Sequence, residues 1–378
     1  MKSVGIICEY NPFHNGHLHH IKTIKKMFPH HLITLVLSPS FTERGEISVI
    51  NKWDKTKIAL EAGIDLIVEL PFPFATQSAD IFGKGSVQIL EYLNCEYLVF
   101  GSESNDINTL NNLVDIQLHN EEYNQLVNIY LKEGINYPTA LSKALTKISK
   151  INIKSPNDLL GLSYIKEIIQ NDLKIIPLTI QRTNDYHDLN TNSDIISASA
   201  IRNLIKTNQD IHVFVPNYVP QYIKTTDYEQ KLFQLLKYKI LSDNDLSCYQ
   251  TVDEGIENRI IKFINQSNSL EELIQNIKTK RYTYNKISRM FIHILCSFTK
   301  KMAKEMTKVE YIRVLGFNKS GQKYLKILKK ECPIPIITNC KNCNNEMLNL
   351  EHKVSNIYNL ITNNNYKDQL EKPIIKTD

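Results

Sequence analysis

The sequence has little of what long linkers, membrane spans or disulfide scaffolds require. It contains 12 glycines and 13 prolines in 378 residues, so long flexible linkers are not expected. No apolar run approaches the roughly 20 residues that cross a bilayer, and the first residues are typical of a β-strand rather than a signal peptide. The seven cysteines are odd in number and scattered, which favours reduced thiols in the cytoplasm. These absences leave an ordinary globular chain of about two domains.

Positive charge is unevenly distributed along the chain. Residues 211–378 hold 26 Lys and Arg against 17 Asp and Glu, whereas residues 1–210 hold 19 against 23. Within 278–330 the count is 15 basic against 2 acidic. A basic half joined to a mildly acidic half indicates one domain for chemistry and another that holds a polyanion. A solvated, lysine-rich helical surface would have the same composition.

The first half alternates between strand and helix patterns, which is typical of an α/β fold. The predicted strands are residues 3–10, 31–38, 64–71, 95–101 and 174–182. The predicted helices are residues 18–27, 54–62, 79–93, 105–132, 137–150, 157–171 and 197–206. Near-continuous apolar strands separated by helices predict a parallel sheet covered on both faces.

A proline-containing stretch, residues 213–222, interrupts both periodicities and marks the predicted domain boundary. The first domain is then 1–212 and the second, mainly helical domain is 213–378. The second domain has apolar residues spaced three and four apart, and its predicted helices are residues 231–241, 254–264, 269–278 and 286–296.

A His-x-Gly-His motif, His14 to His17, stands directly after the first strand and before the first helix. His14 ends the loop and His17 lies in the first helical turn, so both rings can face a helix N-terminus that attracts anions. Gly16 lets the backbone approach a phosphate closely. Two imidazole donors beside an α-phosphate could stabilise the charge that develops during attack at phosphorus. The alternative is a histidine-rich turn with no ligand.

This motif and a succession of others resemble a known family. The others are RGE (44–46) with Lys52-Trp53, ALEAGIDLIVELPF (59–72), FGSES (100–104), SPNDLLGLSYIKE (155–167), ISASAIR (196–202), EGIENRI (254–260), KRYTYNKISRM (280–290) and RVLGFNKSG (313–321). In this order they resemble the bacterial tRNA(Met) cytidine acetate ligases, members of the nucleotidyltransferase superfamily with the HxGH motif.

The resemblance implies a Rossmann-like nucleotidyltransferase sheet and two-step chemistry. ATP and acetate would form acetyl-adenylate, with Mg²⁺ expected beside the ATP. The acetyl group would then pass to the exocyclic amine of the wobble cytidine of elongator tRNA(Met), giving N4-acetylcytidine. We expect no DNA or membrane partner.

The resemblance assigns ATP to the strand, loop and helix stretch of residues 7–20, with His14 and His17 catalytic. Its members are Ile7, Cys8, Glu9, Tyr10, Asn11, Pro12, Phe13, His14, Asn15, Gly16, His17, Leu18, His19 and His20. It adds Gly101, Asn157 and Arg182, with Thr183 beside the arginine. A strand-ending turn would also explain Gly101, and a helix N-cap would also explain Asn157.

Two further groups carry candidate contacts. ISASAIR resembles a serine-rich nucleotidyltransferase motif, in which Ser197, Ser199 and Arg202 could bind phosphate, although a plain helix start explains the same residues. The basic segment supplies the candidate tRNA contacts Lys278, Lys280, Arg281, Lys286 and Arg289. Tyr282 and Tyr284 lie among them and could stack on unpaired bases.

Two alternative functions stay open from the sequence. The same HxGH motif would serve an adenylyl- or cytidylyltransferase acting on a small phosphorylated metabolite, although such enzymes have no use for a basic half of this size. The second alternative is a non-catalytic RNA-binding protein, against which the intact His14 and His17 count. Cys340 and Cys343 form a C-x-x-C near Cys332, but a zinc site needs four ligands, so free thiols are the prediction and no metal ligand is assigned.

Overall fold

A mostly parallel β-sheet lies at the centre of the molecule. The computed structural model describes residues 1–153, 155–182, 194–224, 227–341 and 343–377. The strands in these ranges are β1 (Ser3–Cys8), β2 (Leu32–Leu37), β3 (Leu66–Glu69), β4 (Tyr97–Ser102), β5 (Ile176–Gln181), β6 (Ile312–Phe317), β7 (Ile336–Ile337) and β8 (Ile374–Ile375). Their order is β5-β4-β1-β2-β3-β6-β7, with β8 also paired to β6. The first five strands confirm those that the sequence predicted, and all five are parallel.

Helices pack around this sheet. In the first half they are α1 (Asn15–Met27), α2 (Lys52–Glu61), α3 (Phe72–Ala75), α4 (Ala79–Tyr92), α5 (Ile107–His119), α6 (Glu121–Lys132), α7 (Tyr137–Ser149), α8 (Pro156–Gln170) and α9 (Ala198–Lys206). In the second half they are α10 (Tyr228–Ser242), α11 (Ile256–Ile264), α12 (Leu270–Ile277), α13 (Tyr284–Cys296), α14 (Lys300–Glu305), α15 (Lys319–Glu331) and α16 (Glu346–Thr362). No helix in the described ranges is long and apolar enough to cross a bilayer.

The single helix predicted for 105–132 is wrong at Asn120, where the chain forms two helices. Asn120 has extended backbone angles, and its side-chain oxygen accepts the Tyr123 N–H at 2.9 Å. It therefore caps α6, because asparagine competes with the helical backbone for hydrogen bonds.

The strand order places a crevice beside β1. From β1 the chain adds β2 and β3 on one side, then returns to add β4 and β5 on the other side. Right-handed crossovers put the helices of these two halves on opposite faces of the sheet. The loops that follow β1 and β4 therefore leave toward opposite faces, and ligands of open α/β sheets bind in the crevice between such loops.

The second half of the chain, although mainly helical, completes the sheet of the first half. β6 pairs antiparallel with β3, with Leu66 opposite Phe317 and Val68 opposite Val314. The sequence reading did not predict β6. Its partner strand lies about 250 residues earlier in the chain, and no turn signal joins the two. The chain on the two sides of the predicted boundary at residue 212 thus shares one sheet.

Beside the β3–β6 pair, a buried network of charged side chains connects the first half of the chain with the second. Lys52 of α2 lies 2.5 Å from Glu69 and 2.8 Å from Asp368. Arg313 of β6 lies 3.2 Å from Glu69 and 2.7 Å from Asp368. Burial, followed by the Glu69 charge, raises the pKa of the adjacent Glu351, which favours the uncharged form of that carboxyl. Two cations then balance two anions, which is the condition for keeping charges in a dry interior.

Candidate active site

A cavity of about 290 Å³ opens at the carboxyl ends of β1, β4 and β5. Residues 7–11 at the end of β1, Phe100 and Gly101 of β4, and residues 180–182 at the end of β5 line it. The starts of α1, α8 and α9 and the loop of residues 43–46 close the remaining sides. The cavity thus occupies the crevice that the strand order creates.

The side chains of His14 and His17 accept backbone N–H groups at the start of α1 and so cap this helix. His14 is the N-cap residue, and its Nδ1 accepts the Gly16 N–H at 3.0 Å. His17 is the third helical residue, and its Nδ1 accepts the His14 N–H at 3.2 Å. This is a capping box made from two imidazoles. With both Nδ1 atoms accepting, each neutral ring carries its proton on Nε2, so each ring has a donor left for a ligand.

Packing keeps these two rings neutral and fixed. Their centroids are 3.8 Å apart, and Tyr10 contacts His17 edge-on at 4.7 Å. Burial, with the Arg182 charge as the second cause, lowers the pKa of His14 to about 3. Burial and the His14 ring lower the pKa of His17 well below its usual range. The site therefore offers neutral N–H donors at a helix N-terminus, an arrangement suited to a phosphate.

His20, one turn further along α1, also lines the cavity. Burial and the Arg182 charge lower its pKa to about 4. Its Nε2 is buried and has no hydrogen-bond partner within the described ranges. A ligand in the cavity could satisfy this atom.

The loop before His14 is held by Asn11. The Asn11 side-chain oxygen accepts the Val49 N–H at 2.9 Å, and its amide donates to the Ile47 carbonyl at 3.2 Å. Phe13 is fully buried and packs on Tyr10 at 4.8 Å. The loop conformation is thus set by tertiary contacts, and the rings of His14 and His17 are positioned as a result.

Gly101, Asn157 and Arg182 come together on the far wall of the cavity. A Cβ on Gly101 would lie 3.3 Å from Arg182 Cγ, so the arginine lies directly against the glycine backbone. The Asn157 amide donates to Glu103, and Arg182 Nε lies 3.7 Å from the same carboxylate. The helix N-cap explanation for Asn157 is wrong, because the N-cap of α8 is Ser155. Thr183 lies outside the described residues.

Sequence reasoning gave no role to Glu103 or Asp158, which organise this wall. Asp158 is buried and accepts the N–H groups of Glu103 and Ser104, while Glu103 accepts the Asp158 N–H. The reciprocal pair joins the end of β4 to the start of α8. A carboxylate in the first turn of a helix was the signal that could have identified Asp158.

The serine-rich motif forms one side of the cavity, with its arginine bound to protein groups. Ser197 lines the cavity and is the N-cap of α9, accepting the Ala200 N–H at 3.2 Å, as the plain helix-start explanation predicted. Ser199 does not line the cavity, and its hydroxyl lies 2.9 Å from that of Ser197. Arg202 lines the cavity but pairs with Glu46 at 2.6 Å and donates to the Asn11 carbonyl at 2.8 Å. In this conformation Arg202 holds the loop before His14 against the loop of residues 43–46.

Four members of the predicted stretch 7–20 do not line the cavity. Pro12 and Phe13 are buried beneath the loop, and Leu18 packs against the core. The Asn15 side chain donates to the carbonyls of Asp194 and Val213, both at 2.9 Å. These residues support the loop from behind. The other ten members of the stretch line the cavity.

The basic segment 278–330 does not form one surface. Its five lysines on α15 lie near the amino ends of β3 and β4, because Tyr324 of α15 donates to the Leu93 carbonyl and Asn318 donates to Asp65. The cavity is at the opposite end of the sheet. Arg313 is buried in the charge network. The exposed residues Lys278, Lys280 and Arg281 are on another side, where the Lys280 carbonyl accepts the Asn136 amide before α7.

The other two candidate tRNA contacts, Lys286 and Arg289, bind to the protein itself. Lys286 lies 3.9 Å above the Tyr282 ring, and Arg289 pairs with Glu43 of the cavity loop at 2.8 Å. Tyr282 is 3% exposed and donates to the Asp253 carbonyl, so the predicted base stacking by Tyr282 is wrong. Tyr284 is half-buried and donates to Glu271 at 2.6 Å.

The C-x-x-C cysteines are free thiols. Cys340 is buried and Cys343 is half-buried, with its sulfur 3.5 Å from the Asn339 carbonyl. Among the described residues, no group of three or more His, Cys, Asp and Glu side chains has a metal-binding arrangement.

Comparison with known proteins covers nearly the whole chain. The HIGH Nucleotidyl Transferase family model matches residues 1–372. The tRNA(Met) cytidine acetate ligase of Anoxybacillus flavithermus is 38% identical over 95% of this chain and 94% of its own length. That of Bacillus subtilis is 37% identical over 95% and 92%.

Solved structures match equally far along the chain. Apo Thermotoga maritima TmcAL is 28% identical and superposes with a TM-score of 0.91, covering 99% of each chain. The same protein bound with alpha-thio ATP superposes with a TM-score of 0.88, again covering 99% of each. The likeness therefore includes the second half.

Proposed function

This chain belongs to the HIGH nucleotidyltransferases and, among them, to the tRNA(Met) cytidine acetate ligase family, and we propose that it joins acetate to a cytidine of tRNA at the expense of ATP. ATP and acetate form acetyl-adenylate, and the acetyl group passes to the exocyclic amine of the wobble cytidine of elongator tRNA(Met). The observation that carries this proposal is the pair of neutral Nε2–H donors at the N-terminus of α1, inside the crevice beside β1.

In the first step, an acetate oxygen bonds to the α-phosphorus while the bond to the β-phosphate oxygen breaks and pyrophosphate leaves. Acetate is already anionic, so this step needs positioning and charge stabilisation rather than a base. His14 and His17 donate from Nε2 to α-phosphate oxygens, where charge increases during attack. Arg182, half-buried beside Gly101, supplies positive charge on the opposite wall.

Mg²⁺, expected with ATP, would neutralise the leaving pyrophosphate. Of the cavity carboxylates, Glu43 and Glu46 are already paired with Arg289 and Arg202, and Glu9 already accepts the Glu43 N–H. The residues present therefore fit an ion held by phosphate oxygens and water, as Mg²⁺ prefers, rather than by a protein cage.

In the second step, the cytosine amine attacks the acetyl carbon and AMP leaves. A weakly nucleophilic amine needs an activated acyl donor, which is the chemical reason for the adenylate. A wobble base lies in a single-stranded loop and can be turned out into a cavity at low cost. The alternative of a small-metabolite nucleotidyltransferase does not account for a likeness that extends through the second half.

The order of the two steps supplies the test. Enzyme, ATP and labelled acetate without tRNA should give acetyl-adenylate, detected by mass spectrometry after acid quenching. Adding elongator tRNA(Met) should give N4-acetylcytidine, and a tRNA with uridine at the wobble position should not, since uridine has no exocyclic amine. An adenylate that forms only with tRNA present would contradict the independent first step, and no acetylcytidine would contradict the function.

Contact between tRNA and the exposed cations before α13 should be visible in the salt dependence of binding. Each phosphate contact releases counterions, so log affinity falls linearly with log salt. Lys280→Ala/Arg281→Ala should make that slope shallower by about 1.5 and leave ATP affinity unchanged.

The matched control for this double variant is Lys326→Ala/Lys329→Ala. It removes two exposed lysines of α15, at the end of the sheet away from the cavity. The control slope should equal that of the wild type. A shallower slope only in the α15 variant would place the tRNA on the opposite side of the molecule.

A further inference from the structure

Glu9 places a carboxylate in the cavity directly after β1. Its side chain is half-buried and lines the same cavity as His14 and His17. Oε1 accepts the Glu43 N–H at 2.6 Å, and this hydrogen bond joins Glu9 to the loop of residues 43–46. Within the described ranges the carboxylate is thus held by a backbone N–H, with the Arg44 charge also acting on it.

The loop that holds Glu9 is itself fixed against α13. Arg289 pairs with the Glu43 carboxylate at 2.8 Å, and the Ser288 hydroxyl donates to the Gly45 carbonyl at 3.0 Å. Gly45 has a φ of +77°, and a Cβ there would lie 2.5 Å from the backbone nitrogen of Arg289. Only glycine permits so close an approach in this conformation. α13 thereby sets the position of the Glu43 N–H, and with it the orientation of Glu9.

We propose that Glu9 is the general base of the acetyl-transfer step. The proposal rests on the function proposed above. As the exocyclic nitrogen of cytosine bonds to the acetyl carbon, it gains positive charge and must lose a proton. Glu9 takes that proton, the bond from carbon to the AMP oxygen breaks, and AMP leaves with the electron pair. The proton passes from Glu9 to solvent after the products leave.

The surroundings of Glu9 suit this role. Burial raises its pKa to about 7, with the Glu43 and Glu46 charges also raising it and the Glu43 N–H and Arg44 lowering it. A base is most effective when its pKa lies near the working pH. The other titratable groups that face it are Cys8 on β1, Lys55 on α2 and Tyr164 on α8.

These neighbours do not compete for the role. Burial raises the pKa of Cys8 to about 12 and that of Tyr164 well above its usual range, so both stay protonated. Lys55, whose pKa burial lowers to about 7, is occupied by the Glu9 and Ser38 carbonyls, at 3.0 and 2.6 Å. His14 and His17 present N–H donors, not acceptors, to the cavity.

The test separates the two steps with the full-length enzyme and Glu9→Gln. Hydroxylamine attacks acyl adenylates without a general base, so acetohydroxamate formation from ATP and acetate reports the first step alone. Because Glu9 also lines the ATP cavity, acetohydroxamate formation by the variant itself serves as the reference for its first step. Relative to that rate, its single-turnover acetylation of tRNA should fall by about a hundredfold or more, since general bases contribute at least that factor. Its tRNA affinity should stay within about threefold of wild type.

The pH dependence of the transfer rate distinguishes a general base from a residue with a structural role only. Wild-type transfer should rise about tenfold per pH unit below neutrality and level off above pH 7, because only the carboxylate form accepts the proton. Glu9→Gln should lose this rise, and Glu9→Asp should keep it at a lower rate. Glu61→Gln, the same change on the exposed end of α2, should match the wild type throughout.

Three results would overturn the assignment. An equal loss of acetohydroxamate and tRNA acetylation in Glu9→Gln would make Glu9 an ATP contact only. A loss of tRNA affinity by the same factor as the transfer rate would make it a binding residue. Unchanged transfer would remove it from the mechanism. If the wild type itself made no acetohydroxamate or acetylcytidine, the proposed function would fail instead.

Discussion

His17→Ala should lower the rate of acetyl-adenylate formation by about a hundredfold or more. The substitution removes one of the two Nε2–H donors beside the α-phosphate, and loss of one such donor typically has this effect. It also removes the acceptor of the His14 N–H. Loss of a capping contact costs about 1 kcal/mol, too little to unfold the protein. The measurements are acetohydroxamate formation and, on the same samples, thermal unfolding.

His30→Ala is the matched control, since His30 is exposed beyond the end of α1 and away from the cavity. It should keep wild-type activity. A His17→Ala enzyme with wild-type adenylate formation and normal unfolding would show that the HxGH motif of this chain does not stabilise the reacting phosphate.

Lys52→Met should lower the free energy of unfolding by about 3–5 kcal/mol, the usual cost of removing one partner of a buried ion pair. Methionine has a similar length but no charge, so Glu69 and Asp368 keep Arg313 and lose the Lys52 ammonium. The uncompensated negative charge then lies in a dry interior. Urea unfolding followed by circular dichroism measures the change.

The control for this variant is Lys57→Met, five residues further along α2. Lys57 is about half exposed and pairs with Asp54 at 2.8 Å. Exposed pairs contribute about 0–1 kcal/mol, so this variant should be nearly as stable as the wild type. Equal losses in the two variants would mean that the buried network does not hold the second half of the chain to the first.

Local patterns predicted the strands and helices that form the cavity. β1 to β5 have the apolar runs of strands buried on both faces, and the helices between them have a periodic apolar face. The capping role of His14 and His17 depends on a spacing of three residues, so it also can be read from the sequence. β6 could not be predicted in this way, because it is stabilised by pairing with β3 through residues far away in the chain.

Charge composition predicted a basic half but not where its cations are. Arg289 and Arg313 are both counted among the 15 basic residues of 278–330. One pairs with Glu43, 246 residues away, and the other with Glu69, 244 residues away. A sequence shows that a cation is present, while its partner is known only when the fold brings the two together.

The local structure of the nucleotide-binding segment, from β1 to the start of α1, is therefore determined by the sequence of that segment. A strand, a His-x-Gly-His turn and a helix start are made by neighbouring residues, whose hydrogen bonds and apolar faces are local. The tertiary structure decides the rest: which lysines and arginines face outward, how α13 fixes the loop of Gly45, and why burial raises the pKa of Glu9. The physical reason is that desolvation and Coulomb interaction depend on burial and on groups distant in the chain, which exist as neighbours only in the folded state.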